Sequence, residues 1–135
     1  MENFEIPIQR IKMNQHYLID GYNFIHYIPR FRNFLDSSLE HARNALNHFM
    51  QIYQSKRKVK ITIMFDGDEV GYVEKPPASN RWLKIIYSKP PEKADPIIKK
   101  LIQKTGNKKS LSLVTADNEL IRFGNQQGAQ VLSPE

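Results

Sequence analysis

Four aspartates stand where a hydrophobic run ends or a helix is expected to begin: Asp20 in YLIDGYN, Asp66 in ITIMFDGD, Asp95 in PEKADPII and Asp117 in LSLVTADN. Brought together, three or four carboxylates repel, and at least one pKa rises unless a cation neutralises them. A hard divalent ion is the natural partner, because an all-oxygen site suits Mg²⁺ or Mn²⁺ and softer metals prefer ligands that this chain lacks. Such an ion polarises a phosphoryl oxygen, activates water and stabilises a leaving oxygen, which is the chemistry of phosphodiester hydrolysis.

Each aspartate taken alone has a plainer reading. Asp95 before Pro96, and Asp117 before a helix opening at Asn118, stand where an N-cap would satisfy orphan amides. Asp20-Gly21 and Asp66-Gly67 read equally well as turns. Turn and cap chemistry, however, does not require aspartate at every such place along one edge of a sheet.

The elements that would position them follow from hydrophobic patterning. Tyr17 to Asp20 is a short apolar run halted by Gly21, and Val59 to Phe65 is a β-branched run halted at Asp66-Gly67, so both read as buried strands. Between them lies a stretch rich in aromatic residues, expected to be a loop, and then a helix. Ser37 and Glu40 have capping-box spacing, and Leu39, Ala42, Leu46, Phe49, Met50 and Tyr53 recur at helical intervals. Residues 68–81, with Pro76 and Pro77, read as a loop with room for a short hairpin. Trp82 to Tyr87 is expected to be a third strand, Asp95 with Pro96 to open a helix that ends at Gly106, and Leu111 to Val114 to be a fourth strand. A helix over Asn118 to Gln127, closed by Gly128, leads to a short fifth strand at Gln130 to Leu132. Alternating strands and helices imply an α/β fold with a mainly parallel five-stranded sheet. In such a sheet every strand points its carboxyl end toward one edge, where ligands bind. Asp20, Asp66 and Asp117 end the first, second and fourth strands, and Asp95 can reach the same rim.

Composition narrows the class. A chain of 135 residues fits one domain, and the absence of cysteine removes disulfides, thiol nucleophiles and Cys-ligated zinc together. Twenty Lys and Arg against fourteen Asp and Glu leave a net charge of +6, which favours a polyanionic partner such as RNA or the ribosome. The N-terminal stretch is broken by charges and a proline, so neither a signal peptide nor a membrane span is expected there, and a cytoplasmic setting is. Neither G-x-x-x-x-G-K-S/T nor G-x-G-x-x-G occurs, so no nucleotide cofactor is expected, and G-x-S-x-G is absent too.

The stretches LIDGYNFI, ITIMFDG, the E-x-A-D element at Glu92 to Asp95 and VTADNELIRFGNQQGAQVLSPE together resemble the bacterial NYN domains of the PIN-like nuclease superfamily. The resemblance spans Tyr17 to Glu135 in the family's order, leaving residues 1–16 as an N-terminal extension. It implies a PIN-like three-layer α/β/α sandwich, a metal-dependent endoribonuclease activity on single-stranded RNA, and Mg²⁺ or Mn²⁺ as cofactor. Because bacterial members of this type include a ribosome-associated enzyme that cuts messenger RNA during translation, the ribosome is an implied partner. By motif, Asp20 would be a primary metal ligand with Asn23 a polar group beside it. Asp95 and Asp117 would complete the acidic cluster, and Asp66 would be a further ligand or a carboxylate just behind it. Thr115 and Asn118 flank the last aspartate and would orient it or touch phosphate. The chain stops where relatives usually continue into a further helical segment, so part of the RNA or ribosome surface is expected to be missing.

The expected RNA contacts are basic and aromatic. Arg81, Lys84, Lys89 and Lys93 lie on the segment leading to Asp95 and could seat phosphates without reading sequence. Tyr22, Phe24 and Tyr27 follow Asp20 and could stack on unpaired bases, with Phe24 better suited to the core beneath the loop. Lys56, Arg57, Lys58 and Lys60 read mainly as a solvated face at the opposite edge; His26 could shuttle protons but reads rather as an exposed loop residue, and His41 and His48 carry no metal-ligand pattern. Two other functions stay open. Asp66-Gly67-Asp68 with a later Thr115 resembles the first elements of haloacid-dehalogenase phosphatases, without the acidic pair that family requires. A non-catalytic RNA- or ribosome-binding module with the same fold is the other.

Overall fold

Strands made mostly of β-branched, aliphatic and aromatic residues, with apolar side chains on successive positions, suit a sheet covered on both faces. The computed structural model describes residues 15–57, 59–67, 82–89 and 92–134. Five strands, β1 (His16–Asp20), β2 (Lys60–Phe65), β3 (Leu83–Tyr87), β4 (Leu111–Val114) and β5 (Gln130–Leu132), form one sheet in the order β3-β2-β1-β4-β5. Every neighbouring pair is parallel, with Ile19 opposite Ile63 on one side and Val114 on the other. His16 is therefore the first residue of β1, inside the fold, and Gln15 beside it hydrogen-bonds the Ser112 hydroxyl.

Alternation along the strands divides the core in two. Tyr17, Ile19, Ile61, Ile63, Phe65, Leu83 and Ile85 face one side, and Leu18, Met64, Leu111 and Leu113 face the other. On the first side lie α1 (Gly21–Tyr27), α2 (Pro29–Arg32) and α3 (Leu39–Arg57), which bury Phe24, Phe31, Ala42, Leu46 and Met50. On the second lie α4 (Ala94–Lys104) and α5 (Asn118–Gln127), which bury Ile98, Ile102 and Leu120. The result is an α/β/α arrangement around a five-stranded parallel sheet.

Two local expectations are corrected. The aromatic stretch after Asp20 is helical, passing through α1 and α2 into a 3₁₀ turn at Asn33–Asp36. Phe24, Ile28 and Phe31 recur at helical spacing and are all buried, and Pro29 sits in the first turn of α2, where its missing N–H costs nothing. The cap of α3 is Ser38, whose hydroxyl oxygen accepts from the His41 amide at 3.0 Å, so the Ser37–Glu40 capping box does not form. Ser37 instead closes the preceding 3₁₀ turn. The proline-rich loop with its expected hairpin, Asp68, Lys58 and Arg81 lie outside the described residues.

Gly21 joins β1 to α1 where the chain passes against β2. A Cβ there would stand 2.5 Å from the Phe65 ring and 3.0 Å from the Met64 carbonyl oxygen, and the Phe65 ring is fully buried. Any side chain at Gly21 must push the start of α1, and with it Asp20, away from β2. Gly21→Ala is accordingly expected to lower stability by about 1–3 kcal/mol, the usual range for overpacking a core, read as a reduced urea midpoint at unchanged slope. A midpoint equal to that of the unchanged protein would show that this junction can relax.

Candidate active site

The strand order reverses direction at β1: β2 and β3 lie on one side of it, β4 and β5 on the other. The connections after β1 and β4 therefore diverge and leave a crevice at their carboxyl ends, the usual ligand position in an open parallel sheet. Asp20 is the last residue of β1, and Asp117 follows β4 and precedes α5. Asp66 directly follows β2, and Asp95 lies in the first turn of α4.

The cap and turn readings now separate. Asp117 is a true N-cap, its Oδ1 accepting from the Leu120 amide at 3.0 Å, and this use leaves its second oxygen for other work. Asp95 is no cap: Lys93 occupies that position and Ala94 is the first helical residue, so the Asp95 carboxylate is not consumed by the helix end. Asp20 precedes α1 yet makes no side-chain cap hydrogen bond. Its Oδ2 accepts from the Thr115 hydroxyl at 3.1 Å, while the Thr115 oxygen accepts from the Asp117 amide at 3.0 Å. One buried hydroxyl thus links the end of β1 to the start of α5. Asn23 adds a second link, its Oδ1 accepting from the Ala116 amide at 2.8 Å. On the far side Ser88, buried at the end of β3, accepts from the Gly67 amide at 2.8 Å and fixes the turn that carries Asp66.

The carboxylates this scaffold gathers are Asp95, Asp117 and Glu119, each offering an oxygen within 4.8 Å of the others. Asp20 and Asp66 are not members of that group, but their charges reach it. Burial, then the Asp95 charge, then Asp117 and Asp66, push the Asp20 carboxyl up to about 7, against an opposing hydrogen bond from Thr115. Asp95 is also raised, first by burial and then by Asp117 and Glu119, with Lys99 opposing. Oxygens sharing one Mg²⁺ at about 2.0–2.1 Å lie at most about 4.2 Å apart, so small rotations would bring the Asp95, Asp117 and Glu119 oxygens onto a common ion. An all-carboxylate donor set, with Asp95 and Asp117 half-buried and Glu119 exposed, fits a hard divalent cation.

Glu119 was not singled out from sequence, because a glutamate in the first turn of a helix is expected on dipole grounds alone. The signal was present in its position two residues after Asp117. Several expected substrate contacts stand elsewhere. Tyr22 and Phe24 are buried; the Tyr22 ring packs 5.0 Å from that of Phe65, and its hydroxyl accepts from the Arg43 guanidinium at 3.2 Å. Tyr27, by contrast, is exposed. Lys84 pairs in register with Thr62, and its charge helps hold the His16 imidazole below its ordinary value, after burial and Lys60, which places it toward the opposite edge. Lys93 and Asn118 are exposed at the starts of α4 and α5, beside Asp95 and Asp117.

A family model described as the YacP-like NYN domain matches residues 17–135. The chain belongs to this family. Among NYN proteins it shares 36% identity over 90 residues with the uncharacterized protein YacP of Bacillus subtilis (strain 168), covering 67% of this chain and 52% of that protein. It thus spans about half the length of the curated relative it matches. Two crystal structures of Rae1 (YacP) from Bacillus subtilis, one of a point mutant, match at TM-score 0.73 with 30% and 29% identity. They align over 89% of this chain and about 70% of theirs. The nuclease-like fold of the NYN domain and an acidic cluster able to hold a metal ion therefore occur together here.

A pH dependence follows with a definite sign. With its carboxyl at about 7 in the fold and near 3.9 when unfolded, Asp20 keeps its proton in the native state across a window where the unfolded chain has lost it. Its contribution to stability is complete below about pH 4 and is lost as pH rises through about 7. Asp20→Asn is expected to be more stable than the unchanged protein at pH 8 in EDTA, by about 2 kcal/mol after discounting for partial solvent access, with the gap closing toward pH 4. Thermal melts across that range read it. A gap that is absent at pH 8, or constant with pH, would contradict the strained carboxylate.

Proposed function

We propose that this domain is a Mg²⁺- or Mn²⁺-dependent endoribonuclease that hydrolyses phosphodiester bonds in single-stranded RNA. The observation that carries this reading is the gathering of Asp95, Asp117 and Glu119 near Asp20, which is raised by burial and then by the Asp95 and Asp117 charges, at the crevice of a nuclease-like fold. Asp20, Asp95 and Asp117 are the proposed ligands, joined by Glu119, with Asp66 adding negative charge from the end of β2. A divalent ion bound there would polarise a phosphoryl oxygen and lower the pKa of the attacking water.

The chain's own residues supply the rest. Thr115 orients Asp20 through its hydroxyl and holds the Asp117 amide, and Asn23 locks the Ala116 amide, so the two ligand-bearing loops move as one. With no ion bound, Asp20 sits at about 7, and a divalent ion taking its oxygens would hold it ionised, so metal binding there would release a proton near neutral pH. Lys93 and Asn118, at the rim, are the proposed phosphate contacts. RNA is favoured as substrate by the net charge of +6 around an acidic centre, since only the scissile phosphate need meet the carboxylates. A cytoplasmic setting and the ribosome as partner belong to the same reading and rest on the family resemblance and the basic charge.

Purified protein with labelled single-stranded RNA is expected to give internal cleavage products with Mg²⁺ or Mn²⁺ and none in EDTA. Asp20→Asn and Asp117→Asn should each lower the rate by at least about a hundredfold while leaving far-UV circular dichroism unchanged. RNA binding that survives EDTA with no products under any metal would establish instead the non-catalytic RNA-binding module.

A further inference from the structure

Lys99 stands beside the acidic group and belongs to none of the motifs that marked it. It lies one helical turn after Asp95 on α4, and its Nζ donates to Glu119 Oε1 at 2.8 Å. The same ammonium sits 5.6 Å from the centre of the Phe123 ring, one turn after Glu119 on α5. Its charge also opposes the rise of the Asp95 carboxyl. The lysine thus bridges the two helices whose first turns carry Asp95, Asp117 and Glu119, and it engages an oxygen of the carboxylate that completes the group.

We infer that Lys99 is a tethered cation that competes with the divalent metal for Glu119. Resting on the metal-site reading above, the inference assigns the chain's own residues a role in setting metal affinity. With no divalent ion bound, the ammonium partly neutralises the cluster and holds an oxygen of the exposed Glu119. If the ion takes the Glu119 oxygen, the ammonium is repelled from it, while the Phe123 ring that it already approaches at 5.6 Å still holds it. The exchange needs only rotation about the lysine side chain, which is partly exposed, as is that of Glu119. Lys99 is therefore a positioning residue: it sets how much free metal the site needs before Glu119 becomes a ligand, without itself touching the reacting atoms.

The test is Mn²⁺ binding to the full chain, read by the loss of the free-ion electron paramagnetic resonance signal and by calorimetry, with no RNA present. Lys99→Met keeps the stem over Phe123 and removes the charge, and it should bind Mn²⁺ about tenfold more tightly. Lys99→Arg should stay near the unchanged protein. In a Glu119→Gln background, where the contested oxygen has lost its charge, Lys99→Met should change affinity by less than about threefold. Affinity for Lys99→Met that is equal to or weaker than that of the unchanged protein overturns the competition, as does an undiminished gain in the Glu119→Gln background. If the unchanged protein binds no Mn²⁺ at all, the metal reading fails and this inference with it, an outcome distinct from equal affinities.

Discussion

Mutual repulsion among carboxylates held at one edge of the sheet is the constraint on which the rest of this structure depends. Separately, each acidic side chain would be unremarkable at a strand end or helix start. Burial first, and the neighbouring carboxylates second, raise Asp20 and Asp95, a cost that a bound cation would relieve. The surrounding architecture reads as a means of preventing escape. Gly21 lets the β1–α1 junction press against Phe65, Thr115 and Asn23 tie that junction to the β4–α5 loop, and Ser88 holds the turn after β2. Each of these contacts keeps an acid from swinging out to water.

The same constraint explains how a basic protein can carry an acidic centre. A net charge of +6 favours approach of a polyanion, yet the centre itself would repel phosphate. On the proposed reading a divalent ion would reverse the sign locally, so cation occupancy and substrate attraction would be linked. On the same reading Lys99, whose ammonium lies 2.8 Å from Glu119, would be a resident charge that moderates the cluster while no divalent ion is bound.

Most of the fold was legible because buried parallel strands leave a strong sequence pattern. LSLV and QVL occupy the expected strands to the residue, and the α5 helix runs from the expected Asn118 to Gln127. The stretch after Asp20 was harder, since aromatic residues in series suit a loop or a helix until the spacing of Phe24, Ile28 and Phe31 is matched to a buried face. The convergence of the acids was legible from topology alone, because strand direction fixes the edge. Which acids touch was not. Glu119 came into the group through the pitch of α5, and Asp20 stands beside it, because side-chain reach depends on helix phase that strand order does not determine. Tyr22 likewise looked available to a base, and only the packing of α1 on Phe65 turned it inward.

Whether these carboxylates share a cation can be read from anomalous diffraction of crystals soaked in Mn²⁺. A peak is expected in the crevice beyond the ends of β1 and β4, with oxygens of Asp95 and Asp117 and at least one of Asp20 and Glu119 about 2.0–2.3 Å away. Crystals soaked at millimolar Mn²⁺ that show no peak among these residues, with the carboxylates still in place, would contradict it.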